Sequence, residues 1–297
     1  MDKIKLFGKD ITLRTHNCYL FGEKGSELSE PMVNFYIRTK FCNASCQFCT
    51  YASDASKYNE KKFIEVIKEI SSNIHIRKIA ISGGEPTLYW DNFISIINIS
   101  RQYAPKCELS MNTDGLRLSK LFNDPIHNEL DYIQLSRHHW DDKLNDEIFR
   151  TKTPTSDEIK EAAKLATTPH QFQFRCNLIK GYIDNKEKVF QYLDWANDLE
   201  VNDIGLVSLM PINQYSKDNF IHFHIRELMG ENFFITKEWE YKDACQCVNY
   251  VYTPPDDKFR RPIRVYHKNT FKPSDINETI VFDGQNVRLG FDGEIIY

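Results

Sequence analysis

Six apolar, strand-like runs alternate with helix-like stretches from residue 32 to about residue 212 of this 297-residue chain. The strand-like runs occupy residues 33–38, 78–82, 107–111, 132–136, 172–178 and 204–210. Apolar residues at helical spacing separate most of them, as in Phe63, Ile67 and Ile70. This alternation is typical of repeated βα units and predicts an α/β fold with a parallel sheet. Six such units cannot close into a complete barrel as eight do.

The segments on either side of the βα region carry the signals of short β-hairpins. Gly8-Lys9-Asp10 separates two apolar triplets near the start, and Asp283-Gly284 and Asp292-Gly293 separate apolar runs near the end. We therefore predict three parts. They are a hairpin extension over residues 1–31, a barrel over residues 32–212 and a small β-rich capping module over residues 213–297. An extension of this length is too short for a domain that recognises a peptide leader.

Three cysteines, Cys42, Cys46 and Cys49, form a C-x3-C-x2-C pattern directly after the first strand-like run. Thiolates ligate zinc or an iron–sulfur cluster. A structural zinc site needs four ligands, whereas three thiolates on a four-iron cluster leave one iron open for chemistry. The triplet by itself also fits three unconnected thiols, or part of a zinc site that a distant Cys or His completes.

A second motif, Gly83-Gly84-Glu85-Pro86-Thr87, follows the second strand-like run. Its glycines allow the backbone to approach a ligand closely, and its glutamate can bind an ammonium group. Alone, it predicts no more than a turn. In this order, and each at the end of a strand, the two motifs resemble those of the radical S-adenosylmethionine (radical SAM) superfamily, whose fold is a partial (β/α)6 barrel. Parallel strands would place both motifs on the carboxyl-terminal rim of that barrel.

Two further likenesses point to the branch of this superfamily that contains the molybdopterin-precursor cyclase. Thr113-Asp114-Gly115 resembles the Thr-Asn-Gly that ends the third strand in that branch, with Asp114 in place of the usual Asn. Met210-Pro211 resembles the Met-Pro that ends the sixth strand. The resemblance implies that Thr113 and Met210 contact the cofactor. A buried methionine at a strand end is the simpler interpretation of Met210.

The resemblance implies two cofactors. One is a single 4Fe-4S cluster held by Cys42, Cys46 and Cys49, and the other is S-adenosylmethionine bound to the open iron. One electron from the cluster would cleave S-adenosylmethionine to methionine and a 5′-deoxyadenosyl radical, which takes hydrogen from an unactivated C–H bond. A low-potential electron donor of the flavodoxin or ferredoxin type is implied as a partner.

The family pattern also assigns contacts to S-adenosylmethionine. Phe48 corresponds to an aromatic residue that lies against adenine, although core packing is the alternative. Gly83, Gly84 and Glu85 correspond to the loop that binds the methionine ammonium group. Ser136, at the end of the fourth strand, corresponds to a polar residue that meets the ribose, or is an ordinary strand-end hydroxyl.

Candidates for catalysis lie on the same predicted rim. His138 and His139 follow the fourth strand and would orient a polar substrate or move a proton, unless they belong to a surface loop. Arg175, on the fifth strand, would face the same side of the sheet as Asn177. These candidate residues do not identify the substrate.

Cys245 and Cys247 lie beyond the βα region and have three interpretations. They could ligate an auxiliary cluster, one of them could donate a hydrogen atom to a substrate radical, or they could be ordinary buried thiols. Two thiols do not complete a second cluster, and the related branches with auxiliary clusters supply more C-terminal cysteines. We therefore predict one cluster.

Composition excludes some classes of protein. A net charge of -4 and a pI near 6.2 predict no general nucleic-acid binding. The first residues form no apolar signal segment, and no apolar run approaches the roughly 18 residues that span a bilayer. We therefore expect no membrane insertion and a cytoplasmic location.

These features together predict a radical SAM enzyme that abstracts hydrogen from a small molecule such as a nucleotide, a sugar or a cofactor precursor. Tailoring of a ribosomally made peptide by the same radical chemistry is the alternative. A metal-binding protein without enzymatic activity is a further alternative, which reaction with dithionite under anaerobic conditions would distinguish.

Overall fold

The protein is described from a computed structural model, which covers residues 2–13, 32–49, 56–221, 227, 233–238, 248–253, 262–268, 279–291 and 293–297. Cys245 and Cys247 lie outside the described residues, so the roles of these two thiols stay predictions. Among the described residues, no helix combines the length and the apolar character that are needed to cross a bilayer.

The strands within the described residues are β1 (Asp2–Leu6), β2 (Lys9–Leu13), β3 (Met32–Thr39), β4 (His75–Gly83), β5 (Glu108–Thr113), β6 (Tyr132–Ser136), β7 (Phe172–Leu178), β8 (Asp203–Ser208), β9 (Phe233–Glu238), β10 (Val248–Tyr252), β11 (Ile263–Lys268), β12 (Thr279–Phe282) and β13 (Val287–Leu289). The helices are α1 (Glu60–Asn73), α2 (Trp90–Tyr103), α3 (Leu118–Asn123), α4 (Asp142–Phe149), α5 (Ser156–Lys164), α6 (Lys186–Asp198) and α7 (Gln214–Asp218). Short 3-10 helices lie at Pro86–Leu88 and Pro125–Glu129.

One large sheet organises the molecule, and its strand order is β13-β12-β3-β4-β5-β6-β7-β8-β11-β10-β9. Strands β3 to β8 are parallel and lie side by side in chain order. The sheet therefore confirms the predicted α/β fold with six parallel βα strands. At its edges β12 pairs parallel with β3, and β11 pairs parallel with β8. Strands of the C-terminal region thus extend both edges of the barrel sheet.

The predicted strands agree with the observed strands to within a few residues at either end. The helices begin at side chains that cap them: Asn59 for α1, Asn185 for α6, and Thr155 for α5, where Glu158 completes a capping box. The buried apolar residues of these helices, such as Phe63, Ile159 and Val189, pack in one core with the strands of the sheet. Phe35 and Phe282 of the sheet, for example, stack on Phe63 of α1 at 6.1 and 5.7 Å between ring centroids.

The N-terminal extension forms the predicted hairpin. Strands β1 and β2 pair through a two-residue turn in which Phe7 and Gly8 have φ values of 51° and 75°. The Phe7 ring stacks on Tyr297 at 4.5 Å between centroids, and the Phe7 N–H donates to Glu69 of α1. The hairpin therefore packs against α1 together with the last residue of the chain.

The segment between β6 and β7, which contains both adjacent histidines, includes a helix that the sequence analysis did not anticipate. Helix α4 is capped by the Asp141 side chain and ends at Arg150, which adopts a left-handed φ of 57°. The buried Arg137 side chain holds this segment together. It donates hydrogen bonds to backbone carbonyls of His139, Trp140 and Pro154 and to the carboxylate of Asp142. Its guanidinium also lies 5.1 Å from the Trp195 ring centroid.

Candidate active site

The two motifs lie side by side at the carboxyl ends of β3 and β4. Gly84 N donates to Thr39 O at 2.7 Å, and Glu85 N donates to Phe41 O at 2.8 Å. A Cβ atom on Gly84 would lie only 2.1 Å from Phe41 O. Glycine is therefore required at residue 84, because any side chain would push the cysteine loop away from the Gly-Gly-Glu loop.

The three cysteines share the exposed loop after β3. Cys42 is exposed, whereas Cys46 and Cys49 are half-buried, and Cys49 N donates to Cys46 O at 3.1 Å in a tight turn. Burial, together with negative charge on Asp114, Glu85 and Cys49, raises the pKa of Cys42 to about 11. Burial and the other two thiols likewise raise the pKa of Cys46 to about 12. Thiolates here need a positive partner, which iron would supply.

The spacing of these side chains bears on the kind of metal group they fit. Among the described residues, no three His, Cys, Asp or Glu side chains converge closely enough to hold a single metal ion. A lone zinc ion would need its sulfur ligands about 2.3 Å away. The thiols are nevertheless close enough for their charges to interact. Three mutually close thiols on one loop are a donor set that fits a cluster of several irons.

The cysteine loop crosses from β3 to the opposite side of the barrel mouth. Ser45 N donates to Phe149 O of α4 at 3.1 Å, and the Asn213 side chain donates to Gln47 O at 3.1 Å. Phe48 packs edge-on against His138, with 5.2 Å between ring centroids. A small apolar cluster, made of Ile148, Phe149, Ile179 and Leu209, contacts Ala44, Cys46 and Phe48 of the loop. The loop is thus held at both ends.

Glu85 is 2% exposed, and its carboxylate is occupied by internal contacts. It accepts hydrogen bonds from Thr87 N and Oγ1, from Thr113 Oγ1 and from Asp114 N. Burial and the neighbouring charge of Asp114 raise the pKa of Glu85 to about 8. The carboxylate therefore ties the Gly-Gly-Glu loop to the end of β5. Its predicted contact with the methionine ammonium group stays a prediction.

Thr113 and Asp114 end β5 beside this carboxylate. Thr113 Oγ1 also accepts from Gly115 N, and Asp114 Oδ1 accepts from Leu116 N, while Gly115 takes a left-handed φ of 90°. Burial raises the pKa of Asp114, although contacts with the Glu85 and Asn43 side chains oppose that rise. Asp114 is 7% exposed, and the Asn43 side chain lies beside it between the two motif loops.

His138 and His139 are both buried, at 4% exposure each. His138 stacks on Phe149 at 4.9 Å, and its Nδ1 accepts from Asn177 N at 3.0 Å. Burial and the Arg137 charge lower the pKa of His138 to about 3, so the ring is neutral. His139 Nδ1 accepts from Asp141 N, and burial lowers its pKa as well. Neither histidine lies on a solvent-exposed loop. Their predicted part in catalysis stays a prediction.

The inner face of the barrel carries polar side chains along its strands. Asn112 of β5 donates to Ser82 of β4 at 3.2 Å, and Gln134 of β6 donates to Gln173 of β7 at 3.2 Å. Alternation along each strand places these residues on the face opposite the helices. Arg175 lies on this inner face, because Gly205 of β8 leaves room for it: a Cβ on Gly205 would be 2.6 Å from Arg175 Cδ. Its candidate part in catalysis stays a prediction. Arg175 donates to Gln173 Oε1 and to Phe174 O.

The remaining predicted cofactor contacts lie at the same rim. Ser136 is the last residue of β6 and is half-buried, and Met210 follows β8 and is 43% exposed. The simpler interpretation of Met210 as a buried residue is therefore wrong. The structure brings the cysteine loop, the Gly-Gly-Glu loop and Thr113 into contact. It also adds Asn43 and Asp114, which sequence reasoning did not select, although Asp114 had stood out as a departure from the usual Asn.

Comparison with known proteins adds to this geometry. Residues 36–202, more than half of the chain, match the sequence profile of the Radical SAM superfamily. A “Probable GTP 3′,8-cyclase” of Saccharolobus islandicus is 29% identical over 178 residues, which cover 59% of this chain and 56% of that protein. A protein of the same name from Sulfolobus acidocaldarius is 24% identical over 210 residues, which cover 69% and 64%. The chain thus spans less than two thirds of the length of each relative.

Solved structures show the same fold at low sequence identity. The crystal structure of Streptococcus suis SuiB superposes with a TM-score of 0.52 at 16% identity, over 67% of this chain and 44% of that chain. The SuiB structure bound to S-adenosylmethionine also gives 0.52, at 17% identity, over 67% and 45%. The profile match, the cyclase-like relatives and the shared fold agree with the two motif loops. The chain therefore belongs to the Radical SAM superfamily and is an enzyme of that class, with a 4Fe-4S cluster and S-adenosylmethionine as its cofactors.

Proposed function

We propose that this enzyme holds its cluster through Cys42, Cys46 and Cys49, cleaves S-adenosylmethionine reductively there, and abstracts hydrogen from a small polar molecule inside the barrel. The observation that carries the proposal is the interlocking of the cysteine loop with the Gly-Gly-Glu loop, at 2.7 and 2.8 Å, on the carboxyl rim of the parallel sheet. When bound, the two cofactors supply the 5′-deoxyadenosyl radical that takes a hydrogen atom from the substrate.

The residues of the chain position and shield the site. Gly84 permits close contact between the two motif loops, and Glu85 ties the second loop to the end of β5. Phe48 and its apolar neighbours cover the side of the cysteine loop that faces α4, which keeps water away from a reactive centre. Ser136, Thr113 and Met210 lie at the rim, where we propose that they contact S-adenosylmethionine.

The inner face of the barrel supports the choice of a small polar substrate. Its side chains include the amides Asn112, Gln134 and Gln173 and the cation of Arg175, and these offer hydrogen-bond donors and acceptors. A nucleotide, sugar or cofactor precursor has the matching groups. Because reductive cleavage consumes an electron of low potential, we also propose a flavodoxin or ferredoxin as donor and a reducing, cytoplasmic setting.

The decisive experiment is anaerobic reconstitution followed by reduction with dithionite, with 5′-deoxyadenosine and methionine measured by mass spectrometry. The wild-type enzyme should bind about four irons per chain and form both products. Replacing Cys42, Cys46 and Cys49 together by Ala should abolish both properties. Cys107→Ala is the matched control, because this buried thiol precedes β5 at the opposite end of the sheet and should leave both unchanged.

Two outcomes would contradict the proposal. A triple variant that still forms 5′-deoxyadenosine would show that the cluster lies elsewhere. A wild-type protein that binds four irons but leaves S-adenosylmethionine intact under dithionite would point instead to a metal-binding protein without this activity.

A further inference from the structure

Large apolar side chains are exposed where three neighbouring strands of the barrel end. Phe41 comes shortly after β3 and is 38% exposed, Tyr89 comes after β4 and is 51% exposed, and Leu116 comes after β5 and is 39% exposed. Strands β3, β4 and β5 lie side by side and parallel, so these residues follow one stretch of the carboxyl rim. We call these three residues the rim patch. Single exposed apolar residues are ordinary, but a group of them marks an interaction surface.

The aromatic members of the rim patch contact each other and are flanked by lysines. The rings of Phe41 and Tyr89 meet edge to face, with 5.5 Å between their centroids. Lys40 Nζ lies 5.7 Å from the Phe41 centroid, and Lys120 Nζ lies 4.2 Å from the centroid of Trp90, the residue after Tyr89. Both lysines are exposed, and neither is paired with a carboxylate in the described part of the chain. Their charges are therefore available to a partner.

The surface charges beside the rim patch are mostly positive. Arg117 follows Leu116, and Asp91 follows Trp90, so the two lysines are joined by one more cation and one carboxylate. The carboxylates of Glu85 and Asp114 are buried behind the motif loops. The chain as a whole has a net charge of -4, so this part of the rim is basic on an acidic protein. Such an area attracts an acidic partner and speeds its encounter.

The rim patch adjoins the open side of the cysteine loop. Phe41 directly precedes Cys42, which is the exposed thiol of the three. Phe48, further along the loop, packs instead on His138 and on the apolar cluster beside α4. The loop thus has a covered side near α4 and an open side near Tyr89, where α2 begins. A protein seated on the rim patch would touch the segment that carries Cys42.

An electron donor is the partner that needs this position. One electron must reach the cluster from outside for each reductive cleavage, while S-adenosylmethionine and the substrate occupy the barrel. Electron-transfer complexes bury little surface, so a few side chains are enough to form one. A flavodoxin matches both features of this surface, because the apolar edge of its flavin suits the aromatic pair and its acidic surface suits the lysines. A second copy of this chain would instead bring the same cations together.

Resting on the function proposed above, we propose that Phe41, Tyr89 and Leu116, flanked by Lys40 and Lys120, form the surface on which an acidic flavodoxin docks to reduce the cluster. In this step the anionic hydroquinone of the flavin loses one electron and becomes the neutral semiquinone. The oxidised cluster gains that electron. No bond breaks and no proton moves.

The first test is the double variant Lys40→Glu/Lys120→Glu, reconstituted and kept under argon. Its dissociation constant for a bacterial flavodoxin, measured by calorimetry at low ionic strength, should rise about 10-fold, because two exposed attractions become repulsions. Added salt should weaken binding to wild type more than binding to the variant. Lys68→Glu/Lys106→Glu is the matched control. It changes the net charge equally, and Lys68 also lies against a ring, 5.0 Å from the Tyr103 centroid, at the opposite end of α2.

The aromatic part of the surface is tested with Tyr89→Ser. Tyr89 occupies the N-cap of α2, and its side chain makes no capping hydrogen bond. Serine is a favoured N-cap residue, so the ring is removed while the helix start is kept or strengthened. Flavodoxin affinity should fall about 5- to 10-fold, and the thermal unfolding midpoint should stay equal or rise. Tyr297→Ser is the control, because Tyr297 is also exposed and contacts a phenylalanine ring, that of Phe7.

Dithionite separates docking from a defect in the site, because this small reductant needs no docking surface. Iron content, S-adenosylmethionine affinity and dithionite-driven formation of 5′-deoxyadenosine should equal those of wild type in every variant. Without S-adenosylmethionine, stopped-flow absorbance should show slower cluster reduction by flavodoxin hydroquinone in Lys40→Glu/Lys120→Glu and in Tyr89→Ser. Equal losses with flavodoxin and with dithionite would overturn the proposal, since these residues would then support the site itself.

Three other outcomes decide the remaining points. Wild type that does not bind flavodoxin, or variants that bind it as tightly as wild type, would overturn the docking surface. A ferredoxin that binds more tightly than flavodoxin, with the same losses in the variants, would overturn the choice of donor. Wild type that leaves S-adenosylmethionine intact under dithionite, while the variants lose flavodoxin binding, would reject the proposed function and support the docking surface.

Discussion

Arg137 and Asp114 are charged side chains buried to a similar degree, 1% and 7% exposed, and each directly follows one of two neighbouring strands of the barrel. Arg137, after β6, donates to three backbone carbonyls and one carboxylate. The Asp114 carboxylate, after β5, accepts one backbone hydrogen bond, from Leu116 N, and otherwise contacts the side chains of Glu85 and Asn43. Two charges of similar burial therefore differ in their partners: Arg137 binds mainly the backbone, whereas the Asp114 carboxylate binds mainly side chains.

The difference separates a charge that binds three backbone carbonyls from a charge whose carboxylate binds a single backbone N–H. Removing Arg137 would leave several buried carbonyls unpaired, so its environment depends on it. Removing the charge of Asp114 would relieve Glu85 of a neighbouring carboxylate in a buried place. The two residues stand one strand apart on the same rim. Burial alone would have assigned them the same role, and only their hydrogen bonds distinguish them.

The largest effect is expected for Arg137→Met, which keeps an apolar stem near Trp195 but removes the guanidinium. Unfolding in urea under argon should show a loss of about 3–5 kcal/mol, the usual result of breaking a buried charged network. Arg101→Met is the matched control. Arg101 also binds two backbone carbonyls and an aspartate, but its side chain is 23% exposed, so water can replace those bonds. A loss of stability no larger than that of Arg101→Met would show that the hydrogen bonds of Arg137 do not hold the fold.

A smaller, pH-dependent effect is expected from His138, the neighbour of Arg137. Its folded-state pKa of about 3 lies below the ordinary value of 6.5, because burial and the Arg137 charge oppose protonation. The unfolded chain thus binds more protons between these two values. Stability should fall as pH drops below 6.5, by up to about 1.4 kcal/mol per pH unit, and should not depend on this group above 6.5.

The measurement compares urea unfolding of wild type and His138→Asn from pH 8 to pH 5. The asparagine Oδ1 can replace Nδ1 as the acceptor for Asn177 N, so the hydrogen bond is kept while the titrating group is removed. The difference in stability between the two proteins should change with pH only below 6.5. Parallel curves over the whole range would mean that His138 is not held neutral by its surroundings.

The smallest effect on stability is expected for Glu85→Gln, which changes the carboxylate beside Asp114. An amide NH2 cannot accept from Thr87 N or Asp114 N, so one backbone hydrogen bond is lost at a cost of about 1 kcal/mol, while repulsion with Asp114 disappears. Affinity for S-adenosylmethionine, measured by calorimetry under argon, should fall, because the family pattern assigns the methionine ammonium group to this loop. Unchanged affinity would show that Glu85 only ties the loop to the end of β5.

Much of the barrel could be predicted, because each strand is marked by a short apolar run in the sequence. The predicted strand at 132–136 coincides with β6, and the predicted strand at 172–178 coincides with β7. The N-terminal hairpin was equally local, since Gly8 supplies the positive φ of its turn. The motif loops at the ends of β3 and β4 were also found from residue types and spacing. Helix α4 was missed because it is only two turns long and lies in a segment chosen for its polar residues.

What the sequence by itself determined is the set of parallel βα units, the cysteine loop, the Gly-Gly-Glu loop and their order on one rim. Periodicity and turn chemistry act over a few neighbouring residues, so they can be read along the chain. The tertiary structure alone decided that β11 and β12 join opposite edges of the barrel sheet, and that Glu85 binds Thr113 and Asp114 at the end of β5. Those outcomes depend on which distant atoms meet: Glu85 and Asp114 are 29 positions apart in the chain, and local pattern has no bearing on whether they come together.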